Sequence, residues 1–386
     1  MSTMKFNKNP YALPKNYVFN EIREKAAELK KTSGIKLIDL GVGDVKLPLF
    51  SATVSAMAKA AEELGNAATF KGYPPAEGYL FLREKIAEKR YGSAISPDEI
   101  FVTDGAKGEL GSVTELFERG IKVGFTTPCY PAALEANIAL GNEVKCLKVR
   151  KEDDYQPLPP QNETFDVIYL CSPCNPTGAT ISRENLRKWV EYATDENAII
   201  IFDAAYSDFV SGDEVKSVYE IPRAKECAIE INSFSKSMGF TGVRCGYTVV
   251  PKAVGKLYEI KKRLQNIRTN GVSYISQRGA ETYFLPEVEN EIKKRVEFYK
   301  TNADIMKIAL KNANLWYNNG RSSPYVFFAC PGAETSERFC DRLLYDFGII
   351  STPGSGFGEG GEGYVRLSAF CSRSDALEFS DRMRYF

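Results

Sequence analysis

The sequence predicts an α/β protein: a large domain on a mostly parallel sheet flanked by helices, then a smaller α+β domain. Three observations carry this. Short β-rich apolar runs alternate with helical patterns between about 99 and 266. Two of those runs, 167–171 and 198–202, are apolar almost throughout, as strands buried on both faces are. After a long charged helical stretch at about 286–313, the pattern turns to short strands and two further helices. At 386 residues the chain is long enough for a large and a small core.

In chain order, residues 1–16 are polar, hold two prolines and read as an arm. A helix at 20–31 carries Ile22, Ala26 and Leu29 on one face. A short strand at 37–40 runs into Gly41-Val42-Gly43-Asp44, where glycine lets the backbone approach a ligand. Next come a helix at 51–64 with Ser51 as its N-cap, a turn-rich loop at 70–75 and a helix at 80–91. A strand at 99–103 leads through Asp104-Gly105-Ala106-Lys107 into a helix at 108–117. Strand, small-residue turn and helix together aim backbone N–H groups at phosphate. A strand at 123–126 ends in a proline-bracketed turn, where Tyr130 offers a ring face. Strands near 143–148, 166–171 and 198–202 alternate with helices near 134–140, 183–193 and 254–266. Residues 152–161 read as an exposed connector and 265–273 as a polar loop. Strands at 326–329, 348–351 and 363–368 with helices near 335–346 and 373–384 complete the small domain, and the glycine-dense 353–363 reads as a mobile segment. The expected division is 1–45 as arm and part of the small domain, 46–280 as the large domain, and 281–386 as the small C-terminal domain.

Lys plus Arg equals Asp plus Glu at 50 each, which gives no reason to expect nucleic acid or a membrane as partner. The N-terminus lacks a signal peptide's apolar core, and no run approaches membrane-spanning length, so a cytoplasmic protein is expected. Nine scattered cysteines do not suggest a disulfide framework, and Cys171-x-x-Cys174 has no second pair at metal spacing. The chain has no histidine. That excludes a Ser-His-Asp triad, a Cys-His pair and His-ligated metal, and no metal is expected. Acid–base work near neutral pH falls to Lys, Tyr, Cys or a shifted carboxylate.

The chemistry centres on Lys236, within Ser233-Phe234-Ser235-Lys236-Ser237 and followed by glycines and Arg244. A lysine among hydroxyls with an arginine nearby suits pyridoxal phosphate: the amine forms a Schiff base with the aldehyde, while Ser233, Ser235 and Arg244 hold the phosphate. A lysine on a polar surface turn is the other reading. Asp203 ends the strand at 198–202, where α/β folds place ligands, and could pair with a protonated pyridine nitrogen. Tyr206 and Asn175, the latter between nearby prolines, could both meet the ring's phenolic oxygen. A helix N-cap at Asp203 and a plain turn residue at Asn175 remain open.

Asn175-Pro176-Thr177-Gly178, then Phe202-Asp203-Ala204-Ala205-Tyr206, then Ser233-Phe234-Ser235-Lys236 with Arg244 eight residues on, resembles the class I/II aminotransferases of fold type I. Asp104-Gly105-Ala106-Lys107, the run from Phe234 to Tyr247, Asn270-Gly271-Val272-Ser273 and the run from Thr352 to Gly358 resemble their LL-diaminopimelate aminotransferase branch. The resemblance extends from about Asn16 to the C-terminus. It implies a seven-stranded large-domain sheet, pyridoxal 5'-phosphate, and ping-pong transamination from an amino acid to 2-oxoglutarate in lysine biosynthesis. It gives Lys236 the role of Schiff-base lysine and proton carrier. It assigns Gly105, Ala106, Lys107, Tyr130, Asn175, Asp203, Tyr206, Ser233, Ser235 and Arg244 to the cofactor. It assigns Tyr17, Gly43, Lys107, Tyr130, Asn175, Asn270 and Arg366 to the substrate, with Arg366 on its α-carboxylate. It also implies a homodimer with shared active sites, in which Tyr73 reaches the partner's phosphate and Asn270 the partner's substrate. The chain departs from the branch in four places: Ala76 stands where the branch has a Glu that binds the substrate's distal ammonium (Glu77 follows it), Lys71 replaces an Arg, Cys174 an Asn, and Thr269 an aromatic. A related aminotransferase with another donor, a non-transaminating lyase or synthase, and a regulatory relative without catalysis therefore stay open.

Overall fold

The computed structural model describes residues 5, 7–13, 18–32, 34–332 and 334–386. Helix α1 (Val18–Thr32) and strand β1 (Ile38–Asp39) come first, then helices α2 (Ser51–Leu64) and α3 (Leu80–Tyr91). The α/β layer follows: β2 (Ile100–Thr103), α4 (Ala106–Ser112), β3 (Lys122–Thr127), α5 (Pro131–Leu140), β4 (Glu143–Lys148), β5 (Val167–Cys171), α6 (Arg183–Asp195), β6 (Ile199–Asp203), α7 (Ala224–Cys227), β7 (Ala228–Ser233), β8 (Gly246–Val249) and α8 (Lys256–Arg268). These strands form one seven-stranded sheet in the order β2-β8-β7-β6-β5-β3-β4. Only β8 runs antiparallel to its neighbours, β2 and β7. The inner strands are buried on both faces, which is why their sequence is apolar without alternation.

Helices α9 (Tyr274–Glu281) and α10 (Pro286–Asn312) lead into the last region. There β9 (Tyr325–Ala329), α11 (Ser336–Phe347), β10 (Ile349–Ile350), β11 (Thr352–Pro353), β12 (Tyr364–Ser368) and α12 (Arg373–Arg382) pack together. A three-stranded antiparallel sheet has the order β11-β12-β9, and β1 pairs in parallel with β10. The chain's beginning is thereby sewn to its end. Helix α10 spans two cores: Val288, Ile292 and Tyr299 pack with the large sheet, and Met306 and Leu310 with the C-terminal region.

Several expectations need correction. Phe50, not Ser51, is the N-cap of α2, and it makes no side-chain capping bond. The helix after β2 begins at Ala106 and tightens to a 3₁₀ turn at Val113–Leu116. The 152–161 connector is not wholly exposed, since Tyr155 is buried against Phe327. The expected strand at 348–351 is only the two-residue β10, and β11, just beyond it, belongs to a different sheet. Strand β8 and helix α9 were not foreseen at all. The glycine-dense stretch forms two short 3₁₀ turns, with Phe357 buried and its carbonyl accepting from the Cys129 N–H at 2.9 Å.

Candidate active site

The carboxyl ends of the parallel strands and the C-terminal sheet enclose a cavity of about 800 Å³. Loops rather than strand interiors supply most of its chemistry, as expected at the open end of such a sheet. Lys236, just past β7, points its amine at the Gly43 carbonyl and donates to it at 2.5 Å. Burial lowers the Lys236 pKa to about 8; the Asp44 carboxylate opposes this, while Arg366 and Arg244 add to it. A neutral, nucleophilic amine is thus accessible close to neutral pH.

Asp203 closes β6. Its carboxylate accepts from the Ala205 N–H at 3.0 Å and from the Cys171 thiol at 3.7 Å. Burial raises its pKa to about 6 despite those two donors and the Lys236 charge. A desolvated carboxylate of this kind gains by pairing with a cation. Asn175 follows β5 and is buried. Its carbonyl oxygen accepts from Arg366 Nη1 at 2.9 Å, which orients its NH₂ the other way because a guanidinium can only donate. Tyr206 presents its hydroxyl to that of Tyr325 at 2.8 Å.

A second cluster lies at the amino-terminal turn of α4. Gly105 has φ +118°, and a Cβ there would strike the Arg244 guanidinium. Arg244 Nη1 donates to Ser235 Oγ at 3.3 Å, and Ser233 Oγ donates to Ser235 Oγ at 2.9 Å. Arg244 itself is left-handed at φ +65°, a strained conformation for a side-chain-bearing residue of the kind found at binding sites. Ala106 and Lys107 line the same wall. Two hydroxyls and a guanidinium thus gather beside the first turn of α4, a donor set that suits a phosphate. With Lys236 and Asp203 on the other walls, the residues present fit pyridoxal phosphate.

Arg366 lies in β12 and is 1% exposed. It donates to Asn175, to Thr352 Oγ1 at 3.2 Å and to the Gly41 carbonyl, and its guanidinium lies over the Tyr325 ring. These contacts hold the guanidinium in one orientation on the cavity wall, where its fork suits a carboxylate.

Of the residues expected from the sequence, the fold brings Gly43, Ala106, Lys107, Tyr130, Asn175, Asp203, Tyr206, Ser233, Ser235, Lys236, Arg244 and Arg366 to this one cavity. Gly105 lies just behind it against Arg244. Tyr73 and Asn270 do not line it: Tyr73 is 86% exposed, and Asn270 is exposed on the loop before α9. Tyr17 lies outside the described residues. Among the residues that escaped the sequence reading, three carry polar chemistry to this site. Asp44 and Tyr325 line the cavity, and Cys171 touches Asp203. Asp44 sits in a glycine run that drew attention only for its backbone; Tyr325 and Cys171 lie in apolar strands that read as core. Glu77 accepts from Asn266 of its own chain at 3.1 Å.

The family model described as aminotransferase class I and II matches residues 35–382. The chain belongs to this family. Members are pyridoxal-phosphate-dependent transaminases that act on amino and keto acids. The family's cofactor and chemistry are therefore those of this chain, on the fold type I scaffold. Among similar proteins, the LL-diaminopimelate aminotransferase of Bacteroides fragilis is 40% identical over 404 residues, covering 98% of each chain. That of Prochlorococcus marinus is 40% identical over 403 residues, covering 97% of this chain and 98% of its own. The solved L,L-diaminopimelate aminotransferase from Chlamydomonas reinhardtii superposes with a TM-score of 0.93 at 35% identity, over 99% of this chain and 98% of that one. A Thermus thermophilus aspartate aminotransferase shares the fold, with a TM-score of 0.89 at 22% identity and full coverage of both chains.

Proposed function

We propose that this aminotransferase takes LL-diaminopimelate as amino donor and 2-oxoglutarate as acceptor, in lysine biosynthesis, as a cytoplasmic homodimer. The observation that carries this reading is identity of 40% across 98% of both chains to an enzyme of that name. Bound at Lys236, pyridoxal phosphate supplies the electron sink that takes up charge when the substrate Cα loses its proton. Lys236 anchors the cofactor through its neutral amine. The same amine, once free, would move the proton that the substrate Cα gives up. Asp203 would keep the ring nitrogen protonated, and Tyr206 and the Asn175 NH₂ would donate to the phenolic oxygen. Arg244, Ser233, Ser235, Gly105, Ala106 and Lys107 hold the phosphate, joined by Tyr73 of a second copy. Tyr130 offers its ring to the cofactor. Arg366 binds the α-carboxylate of both substrates, with Gly43, Lys107, Tyr130 and Asn175 around it, and Tyr17 and, from a second copy, Asn270 complete the substrate contacts. The division that goes with this reading takes 1–45 as arm and part of the small domain, 46–280 as the large cofactor-binding domain, and 281–386 as the small C-terminal domain.

A second reading, transamination from a different donor, is favoured by one observation. Ala76 stands where the diaminopimelate branch carries its distal-end Glu, and the neighbouring Glu77 is already held by Asn266. A single-turnover donor series separates the two. The aldehyde form of the bound cofactor should convert to its amine form with LL-diaminopimelate and with glutamate. Conversion with an aromatic donor but not with LL-diaminopimelate would select the second reading.

A further inference from the structure

We propose that Tyr325 is a positioning residue that joins the cofactor side of the cavity to its carboxylate side. It opens β9 and is buried, and its hydroxyl lies 2.8 Å from that of Tyr206. The Arg366 guanidinium sits over its ring, 4.6 Å from the centroid, with the Phe357 ring at 4.9 Å. A Cβ added at Gly43 would run into the same Tyr325 hydroxyl, so Gly43 is small because this phenol occupies the space. The Gly43 carbonyl in turn receives the Lys236 amine. One side chain therefore touches the residue assigned to the phenolic oxygen, the backbone under the reactive amine, and the cation assigned to the substrate carboxylate.

The role follows from proton counting, and it rests on the reading that Tyr206 donates to the phenolic oxygen of the cofactor. A phenol has one proton to give. With its own proton committed to the cofactor, Tyr206 can only accept from Tyr325. Two hydroxyls donating in sequence polarise one another, so Tyr206 becomes the stronger donor. The titratable and charged groups facing the pair are Asp203 and Cys171 beside Tyr206, and Arg366, Tyr130 and Cys171 beside Tyr325. A strong donor draws charge from the phenolic oxygen, which then holds the proton on the adjacent nitrogen less tightly. Loss of the Tyr325 hydroxyl should therefore raise the pH midpoint of the bound cofactor's absorption change.

The experiment is a spectrophotometric pH titration of cofactor-loaded wild type, Tyr325→Phe, Tyr206→Phe and the double variant, without substrate. Tyr325→Phe should move the midpoint upward by about half a unit, roughly a threefold gain in proton affinity. The double variant should titrate like Tyr206→Phe alone. Tyr325→Phe keeps the ring under Arg366, so KM for the amino acid should change less than about twofold, whereas Tyr325→Leu, which removes the ring, should raise it about tenfold. An unchanged midpoint in cofactor-loaded Tyr325→Phe, or a shift that adds in full to that of Tyr206→Phe, would overturn the role of Tyr325 alone. A wild-type protein that shows no cofactor band would overturn the cofactor assignment as well.

Discussion

Lys236 shows how burial sets chemistry at a single residue. Its amine is held by a backbone carbonyl rather than by a carboxylate, and burial outweighs the help of Asp44, so its pKa falls from 10.5 to about 8. The neutral amine is the nucleophile. The rate at which added pyridoxal phosphate becomes trapped on Lys236 by borohydride should therefore rise with pH and level off above about 8. Replacing Asp44 by Asn removes the charge that opposes the shift, so the midpoint should move lower. A rate that keeps climbing towards pH 10 in the wild-type protein would show that the amine is not desolvated. Asp203 moves the opposite way for the same cause, since burial penalises whichever form is charged.

At the scale of elements, strand ends organise the site and helix α10 holds the two cores together. Leu310 of α10 is fully buried, whereas Ile308, two residues away, is 58% exposed. Leu310→Ala should cost roughly 3 kcal/mol in urea denaturation and Ile308→Ala less than about 0.5 kcal/mol. Equal costs would mean that α10 does not pack as described. Strong, repeated patterns made most elements legible beforehand: the β5 and β6 runs are apolar end to end, and the charged periodicity of α10 is long. Strand β8 was hidden because Arg244-Cys245-Gly246-Tyr247 reads as loop chemistry, and its antiparallel pairing with β2 and β7 is a tertiary choice. Helix α9 was hidden by the polar run before it. In the site, motif residues announced themselves by type, whereas Tyr325 did not. A tyrosine opening an apolar strand looks like core, and only the fold places it between Tyr206 and Arg366.

At the scale of the whole molecule, Tyr73 and Asn270 stand exposed and away from the cavity of their own chain. That arrangement accords with the proposed homodimer, in which each site borrows from its partner. Complementation tests the sharing directly. Tyr73→Ala and Lys236→Ala should each be nearly inactive. Mixed and allowed to exchange subunits, they should recover about one quarter of wild-type activity, because half of the dimers are mixed and each mixed dimer rebuilds one intact site. No recovery after verified exchange would place both residues in the same chain's site. Among the described residues, no helix is long and apolar enough to cross a membrane.

The measurement that bears most directly on the central claim is the single-turnover half-reaction with purified, cofactor-loaded protein and no keto acid. LL-diaminopimelate, glutamate and an aromatic amino acid go into separate samples, and the cofactor's absorption is followed. The account predicts that LL-diaminopimelate and glutamate convert the aldehyde form to the amine form, that the aromatic donor leaves it unchanged, and that Lys236→Ala abolishes the conversion. Conversion by glutamate or the aromatic donor but not by LL-diaminopimelate would contradict the proposed substrate, and unimpaired turnover by Lys236→Ala would contradict the mechanism itself.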